Sequence, residues 1–150
     1  MQMKSKILPP TYFIALLLLS ATLNFVYPIE RVVEPPYTYL GIIPILFGTV
    51  LNIWSDSMFK KSKTTVKPHE TPTALMIFGP FRISRHPMYL GMAAILLGEA
   101  VFFGSLITFA FPAIFVILMA VMFIPAEEDN LERAFGGNYH DYKKKVRHWI

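Results

Sequence analysis

The most constraining feature of the chain is a set of long apolar runs, covering residues 10–28, 37–55, 87–104 and 106–125. A helix rises ~1.5 Å per residue, so about 20 apolar residues cross a hydrocarbon core of ~30 Å. Inside a bilayer no water satisfies peptide groups, and a run of this length can only be a helix that pairs its own backbone. The chain is therefore expected to be an all-α integral membrane protein of about four transmembrane helices, forming one domain over residues 1–150. Composition agrees, since 54% of side chains are hydrophobic and only 16% charged, well to the apolar side of a soluble enzyme. Lys4 and Lys6 precede the first run and Ser20-Ala21-Thr22 lies within it, as in a signal peptide. Three further runs and the lack of a clear cleavage pattern favour a retained span. Phe103-Gly104-Ser105 leaves only a short turn between the last two runs, which predicts a tight helical hairpin.

Orientation follows from the basic residues. Two precede the first run, six lie between Lys60 and Arg85, five lie between Arg133 and Arg147, and only Arg31 falls in the loop after the first run. Cytoplasmic loops are enriched in Lys and Arg, so both termini and the loop after residue 55 are placed in the cytoplasm. The net charge of +4 is thus a topology signal; the cations flank apolar runs and form no aromatic-interleaved patch for nucleic acid. The absence of cysteine excludes thiolate chemistry and disulfides, and His69, His86, His140 and His148 lack a familiar metal-ligand spacing. Residues 59–73 are polar and turn-rich and read as a cytoplasmic loop. After Pro125 the chain turns polar. A helix over 126–135 should stop at Gly136-Gly137, and Tyr139, Tyr142, Val146 and Trp149 then recur as one face of an interfacial helix along the cytoplasmic surface.

Two polar groups of residues stand at the ends of the hairpin: RISRHPMY from Arg82 to Tyr89, and Glu127-Glu128-Asp129. His86 lies 18 residues before Gly104 and Glu127 lies 23 after it, so the two arms return them to one membrane face. Cations and carboxylates meeting at an apolar mouth suit a ligand with charges of both signs. Taken singly, the arginines could be positive-inside anchors, His86-Pro87 a helix start, and the carboxylates a solvated helix exit. On the third run Gly91, Ala94 and Gly98 share a face, suited either to close helix packing or to a flat ligand ring. Glu99 is expected near the outer interface.

The stretches GPFRISRHPMYLG, from Gly79 to Gly91, and PAEEDNLERAFGGNYHDYKKKVRHWI, from Pro125 to Ile150, carry a family likeness. In that order they resemble the isoprenylcysteine carboxyl methyltransferases and the related phospholipid methyltransferases, integral membrane enzymes that use S-adenosylmethionine. The resemblance implies a cofactor held at the cytoplasmic mouth of the hairpin and a lipophilic acceptor, either an isoprenylcysteine-like carboxylate or a lipid, entering from the bilayer. It also implies Arg85, His86, Pro87, Tyr89, Gly91, Glu127 and Glu128 as cofactor residues. In the tail pattern an acidic residue precedes the second tyrosine and an arginine follows, here Asp141 and Arg147. The implied catalytic roles are orientation of an anionic acceptor by Arg147, with Asp141 supporting it or taking a proton. Phe81 and Gly137-Asn138 depart from the pattern, where relatives often carry tyrosine and an acidic pair. The alternatives to a methyltransferase are a non-catalytic lipid- or ligand-binding scaffold and a redox enzyme on a related helical membrane fold.

Overall fold

The computed structural model describes residues 7–64 and 70–150. Lys4, Lys6 and His69, and the middle of the polar stretch 59–73, lie outside the described residues. Among the described residues the regular elements are all helices, joined by irregular loops, with an isolated bridge between Arg31 and Ser105. The helices are α1 (Pro9–Val26), α2 (Ile42–Ser62), α3 (Pro87–Phe103), α4 (Ala110–Leu118), α5 (Ile124–Phe135) and α6 (Gly137–Lys145). Three continuous helical stretches are long and apolar enough to cross a membrane: Pro9–Val26, Tyr37–Ser62 and Leu106–Phe135. Pro87–Phe103 is apolar but shorter, at 17 residues.

The hairpin forms as the turn signal requires. Gly104 caps α3 at φ 72°, a left-handed conformation that glycine adopts without strain, and its N–H donates to the Ala100 carbonyl at 2.9 Å. The loop after α1 is pinned to this turn: the N–H groups of Val32 and Val33 donate to the Gly104 carbonyl, and the Ser105 hydroxyl donates to the Ile29 carbonyl at 3.0 Å.

One boundary differs from expectation. The second helix does not end at Ser55 but continues to Ser62, where Lys63 takes a left-handed cap at φ 50°. Its polar last turns keep helical bonding, and Lys60 pairs with Asp56 one turn earlier at 2.5 Å. As expected, the helix continues beyond Pro125 to Phe135 before Gly136. The turn Met119–Phe123 is a π-helix directly ahead of that proline, and α5 follows without a break in direction of winding. Proline lacks the N–H that would bond four residues back, and a widened turn accommodates that loss. The arm therefore carries Glu127 and Glu128 on a helix that starts in the apolar layer.

Packing sets the site at one end. Leu96 of α3 and Phe115, Met119 and Phe123 of the returning arm are fully buried together, with Tyr12, Phe13, Leu16 and Leu17 of α1 against them. On the other side, α2 lies directly on α3. A Cβ on Gly48 would sit 2.2 Å from the Gly91 carbonyl oxygen, and one on Gly98 would sit 2.5 Å from that of Gly41. The small-residue stripe of α3 is thus filled by the backbone of α2. A second cluster, of Met76, Phe81, Tyr139 and Tyr142, lies beyond the start of α3, so the tyrosine face of α6 packs on the chain itself. α6 also ends at Lys145, before Val146 and Trp149, and Trp149 packs on the main core instead of extending that face.

Candidate functional site

The start of α3, the first turns of α5 and the C-terminal segment converge as the residue count from Gly104 anticipates. His86 precedes Pro87, which occupies the first helical position and needs no N–H partner there. Its imidazole Nδ1 lies 3.1 Å from Glu127 Oε2, and the Tyr89 hydroxyl donates to the other oxygen of the same carboxylate. The His86 ring is nearly parallel to those of Tyr89 and His148, at interplanar angles of 9° and 12°. Glu128 is surrounded by basic groups: Arg85 Nη2 at 2.9 Å, His148 Nδ1 at 3.0 Å and His86 Nε2 at 3.5 Å from Oε1, and Lys143 Nζ at 3.3 Å from Oε2. Lys143 also reaches Glu132 at 2.8 Å.

Backbone contacts dock the tail beside this cluster. The Arg85 N–H donates to the Arg147 carbonyl at 2.9 Å, and the Ser84 hydroxyl donates to the His148 carbonyl at 2.7 Å. The Arg85 guanidinium donates to the Lys143 carbonyl at 3.2 Å, and the Tyr142 hydroxyl donates to the Phe81 carbonyl at 2.6 Å. A cavity of about 820 Å³, counting its open mouth, lies against this wall. Arg85, His86, Pro87, Tyr89 and Glu127 line it on one side, and Phe59, Phe81, Leu131, Tyr139 and Tyr142 supply aromatic and apolar walls. Its polar groups stand together between apolar walls, the arrangement by which small-molecule sites fix a ligand's orientation.

The remaining residues expected at the site are placed elsewhere. Glu128 is buried behind Glu127 and does not line the cavity. Gly91 faces α2, where an added Cβ would meet the Gly48 carbonyl at 2.8 Å. Asp141 is exposed and pairs with Lys144 at 3.6 Å, and the Arg147 side chain is exposed too; neither lines the cavity. Lys143, His148 and Glu132 complete the charge cluster without having been singled out. The ligand atoms of His86, Glu128 and His148 lie within 4.8 Å of one another, close enough for a metal ion. The Arg85 guanidinium and Lys143 ammonium already compensate Glu128, so the group reads as an ion-pair network.

The two stacked histidines titrate in opposite directions. Burial pulls the His86 pKa down, but hydrogen bonds and charges from Glu127 and Glu128 outweigh it and leave the value raised. Partial burial lowers that of His148, and with the repulsion of Arg85, His86 and Lys143 added to it the attraction of Glu128 is outweighed. A raised His86 contributes docking stability that is fully present below ~6.5 and lost as pH rises through the raised value. A lowered His148 contributes stability present above ~6.5 and lost as pH falls through the lowered value. Protection of the Arg85 amide from hydrogen exchange, corrected for intrinsic rate, is therefore expected to be greatest near the ordinary histidine pKa of ~6.5 and to fall on both the acid and the alkaline side. His148→Gln should abolish the acid limb, and a monotonic profile would contradict the assignment.

The sequence model of the phospholipid methyltransferase family matches residues 36–138, which takes in α2, the hairpin and both polar groups of residues at its mouth. An uncharacterized protein of Haemophilus influenzae is 36% identical over 63 residues, 42% of this chain and the whole length of that protein. With the family's model matching well over half of its length, the chain belongs to the phospholipid methyltransferase family.

Proposed function

We propose that the protein transfers a methyl group from S-adenosylmethionine to a lipophilic acceptor at the cytoplasmic face of a membrane. The observation that carries this reading is the cavity wall itself, where a carboxylate, a guanidinium, an imidazole and a phenol stand together between apolar walls. S-adenosylmethionine has an ammonium and ribose hydroxyls to donate and a carboxylate to accept, and the wall offers the complement of each. Arg85 adds a specific sign of fit: its Nε is buried and has no hydrogen-bond partner among the described residues.

When bound, the cofactor supplies an electrophilic methyl group on its sulfonium. Methyl transfer is a displacement that mainly needs alignment and exclusion of water. Glu127, held from behind by His86 and Tyr89, accepts from the ammonium or the ribose; Arg85 meets the carboxylate; Pro87 and the aromatic walls shape a dry pocket. Gly91 acts at one remove, by letting α2 close against α3. Arg147 and Asp141, at the exposed tail, are assigned to the acceptor: Arg147 to orient a carboxylate or other anionic group, Asp141 to support it. The acceptor is an isoprenylcysteine-like carboxylate or a lipid, reached from the bilayer between the cavity walls.

In this reading α3 crosses the membrane as the partner of the returning arm, giving four spans with both termini and the site in the cytoplasm. Two cysteines placed in the cysteine-free chain check the orientation. One at Lys63 is expected to react with an impermeant maleimide only from the cytoplasmic side and one at Glu34 only from the opposite side; the reverse pattern would move the site. For the activity, membranes containing the protein are expected to transfer label from methyl-labelled S-adenosylmethionine into solvent-extractable lipid or lipidated peptide. No transfer above empty membranes, across both acceptor classes, would contradict the assignment.

A further inference from the structure

We infer that Glu128 is a positioning residue, a clasp that fastens the C-terminal segment over the start of α3, while Glu127 alone is the carboxylate that meets the ligand. The inference deepens the methyltransferase reading and depends on it only for the ligand's identity.

Consecutive helical residues are about 100° apart around the axis, so adjacent glutamates cannot face the same way. Glu127 turns into the cavity wall and Glu128 turns away from it. The partners of Glu128 come in two pairs. Arg85 and His86 belong to the segment entering α3, whereas Lys143 and His148 belong to α6 and the tail. One carboxylate thus joins two parts of the chain about 60 residues apart. The tail has little else to hold it: beyond Val146, at φ −127° and ψ 131°, it is extended, and it rests on the Arg85–Arg147 and Ser84–His148 hydrogen bonds and the packing of Trp149. Without the carboxylate, Arg85, His86 and Lys143 would face His148 with a surplus of positive charge, and an uncompensated buried cation is strongly unfavourable. The docked tail and α6 in turn hold Tyr139 and Tyr142 against the cavity. Glu128 therefore acts on the ligand through the tail.

The test uses the full chain in nanodiscs and trypsin cleavage after Arg147, a bond protected only while the tail is docked. Glu128→Gln is expected to speed this cleavage by about tenfold or more, and by at least about threefold more than Glu127→Gln, which reaches the tail only through His86. Lys143→Ala with His148→Ala attacks the clasp from its other side and should reproduce the rise even if Glu128→Gln folds poorly. A second arm measures affinity for S-adenosylhomocysteine. Glu128→Gln should weaken it about tenfold, and a short bis-maleimide joining Arg82→Cys to Ile150→Cys should restore it to within about threefold, because the linker replaces the clasp. Unchanged cleavage in both clasp variants would overturn the inference, as would an affinity loss that the linker does not rescue. If S-adenosylhomocysteine fails to bind wild type, the methyltransferase reading fails, and the cleavage arm still decides the clasp.

Discussion

Glu127→Gln is expected to weaken S-adenosylmethionine binding by about a hundredfold or more while the protein remains folded. The substitution preserves shape and removes one charge from a buried constellation. The carboxylate receives the Tyr89 hydroxyl and faces His86 Nδ1 at 3.1 Å, with the His86 side chain only 4% exposed. Removing one partner of such a pair costs about 3–5 kcal/mol at the remaining charge. Part of that cost appears as altered protonation of His86, whose raised pKa depends on Glu127. The rest appears in binding, because a neutral amide is a poorer acceptor for an ammonium or a ribose hydroxyl than a carboxylate. Equilibrium dialysis with labelled cofactor against nanodisc-embedded protein reads the effect directly. Wild-type affinity in the variant would remove Glu127 from the site.

Gly48→Val is expected to be among the most destabilising single changes in the chain. Its Cβ alone would stand 2.2 Å from the Gly91 carbonyl oxygen and 2.8 Å from Ile95 Cγ1, so α2 must move off α3 before the rest of the side chain is placed. Overpacking of this kind costs about 1–3 kcal/mol in ordinary cores, and here the obstacle is backbone, which cannot rotate aside. Because α2 also carries Phe59 into the cavity wall, the displacement reaches the site as well. Thermal unfolding in detergent should fall by several degrees relative to Gly137→Ala, where nothing lies within 4 Å of the new methyl group. Equal thermal stability of the two variants would show that the α2–α3 contact is looser than described.

Most of the helical layout is legible in the sequence because bilayer thickness converts run length into helix, and glycine at 104 converts a short gap into a turn. The meeting of His86 with Glu127 is legible for the same reason: once the hairpin is granted, counting residues along two rods suffices. What escapes the count is anything set by rotation or by irregular backbone. Nothing in the letters Glu127-Glu128 says which one faces the cavity; that depends on the phase of a helix that passes through a π turn at Met119–Phe123. The helix beyond Pro125 is legible, but the widened turn that joins it to the returning arm is not, since such a turn has no composition of its own. Lys143 and His148 were invisible as partners of Glu128 because their approach depends on the reversal at Gly136, with φ 50° and ψ −120°, and on an extended tail whose docking bonds are between backbone and distant residues. Of the face that the spacing of Tyr139, Tyr142, Val146 and Trp149 predicts, the two tyrosines pack together but the helix ends at Lys145 before the other two; periodicity does not say where a helix stops or whether lipid or protein covers its face.

The most direct test of the account is a titration of the wild-type protein, in nanodiscs, with S-adenosylmethionine and in parallel with a reduced nicotinamide cofactor. Saturable binding of the first, at one site per chain and without binding of the second, is the predicted result. No saturable binding of S-adenosylmethionine by protein whose tail resists trypsin after Arg147 would contradict it, and binding of the nicotinamide instead would assign the cavity to redox chemistry.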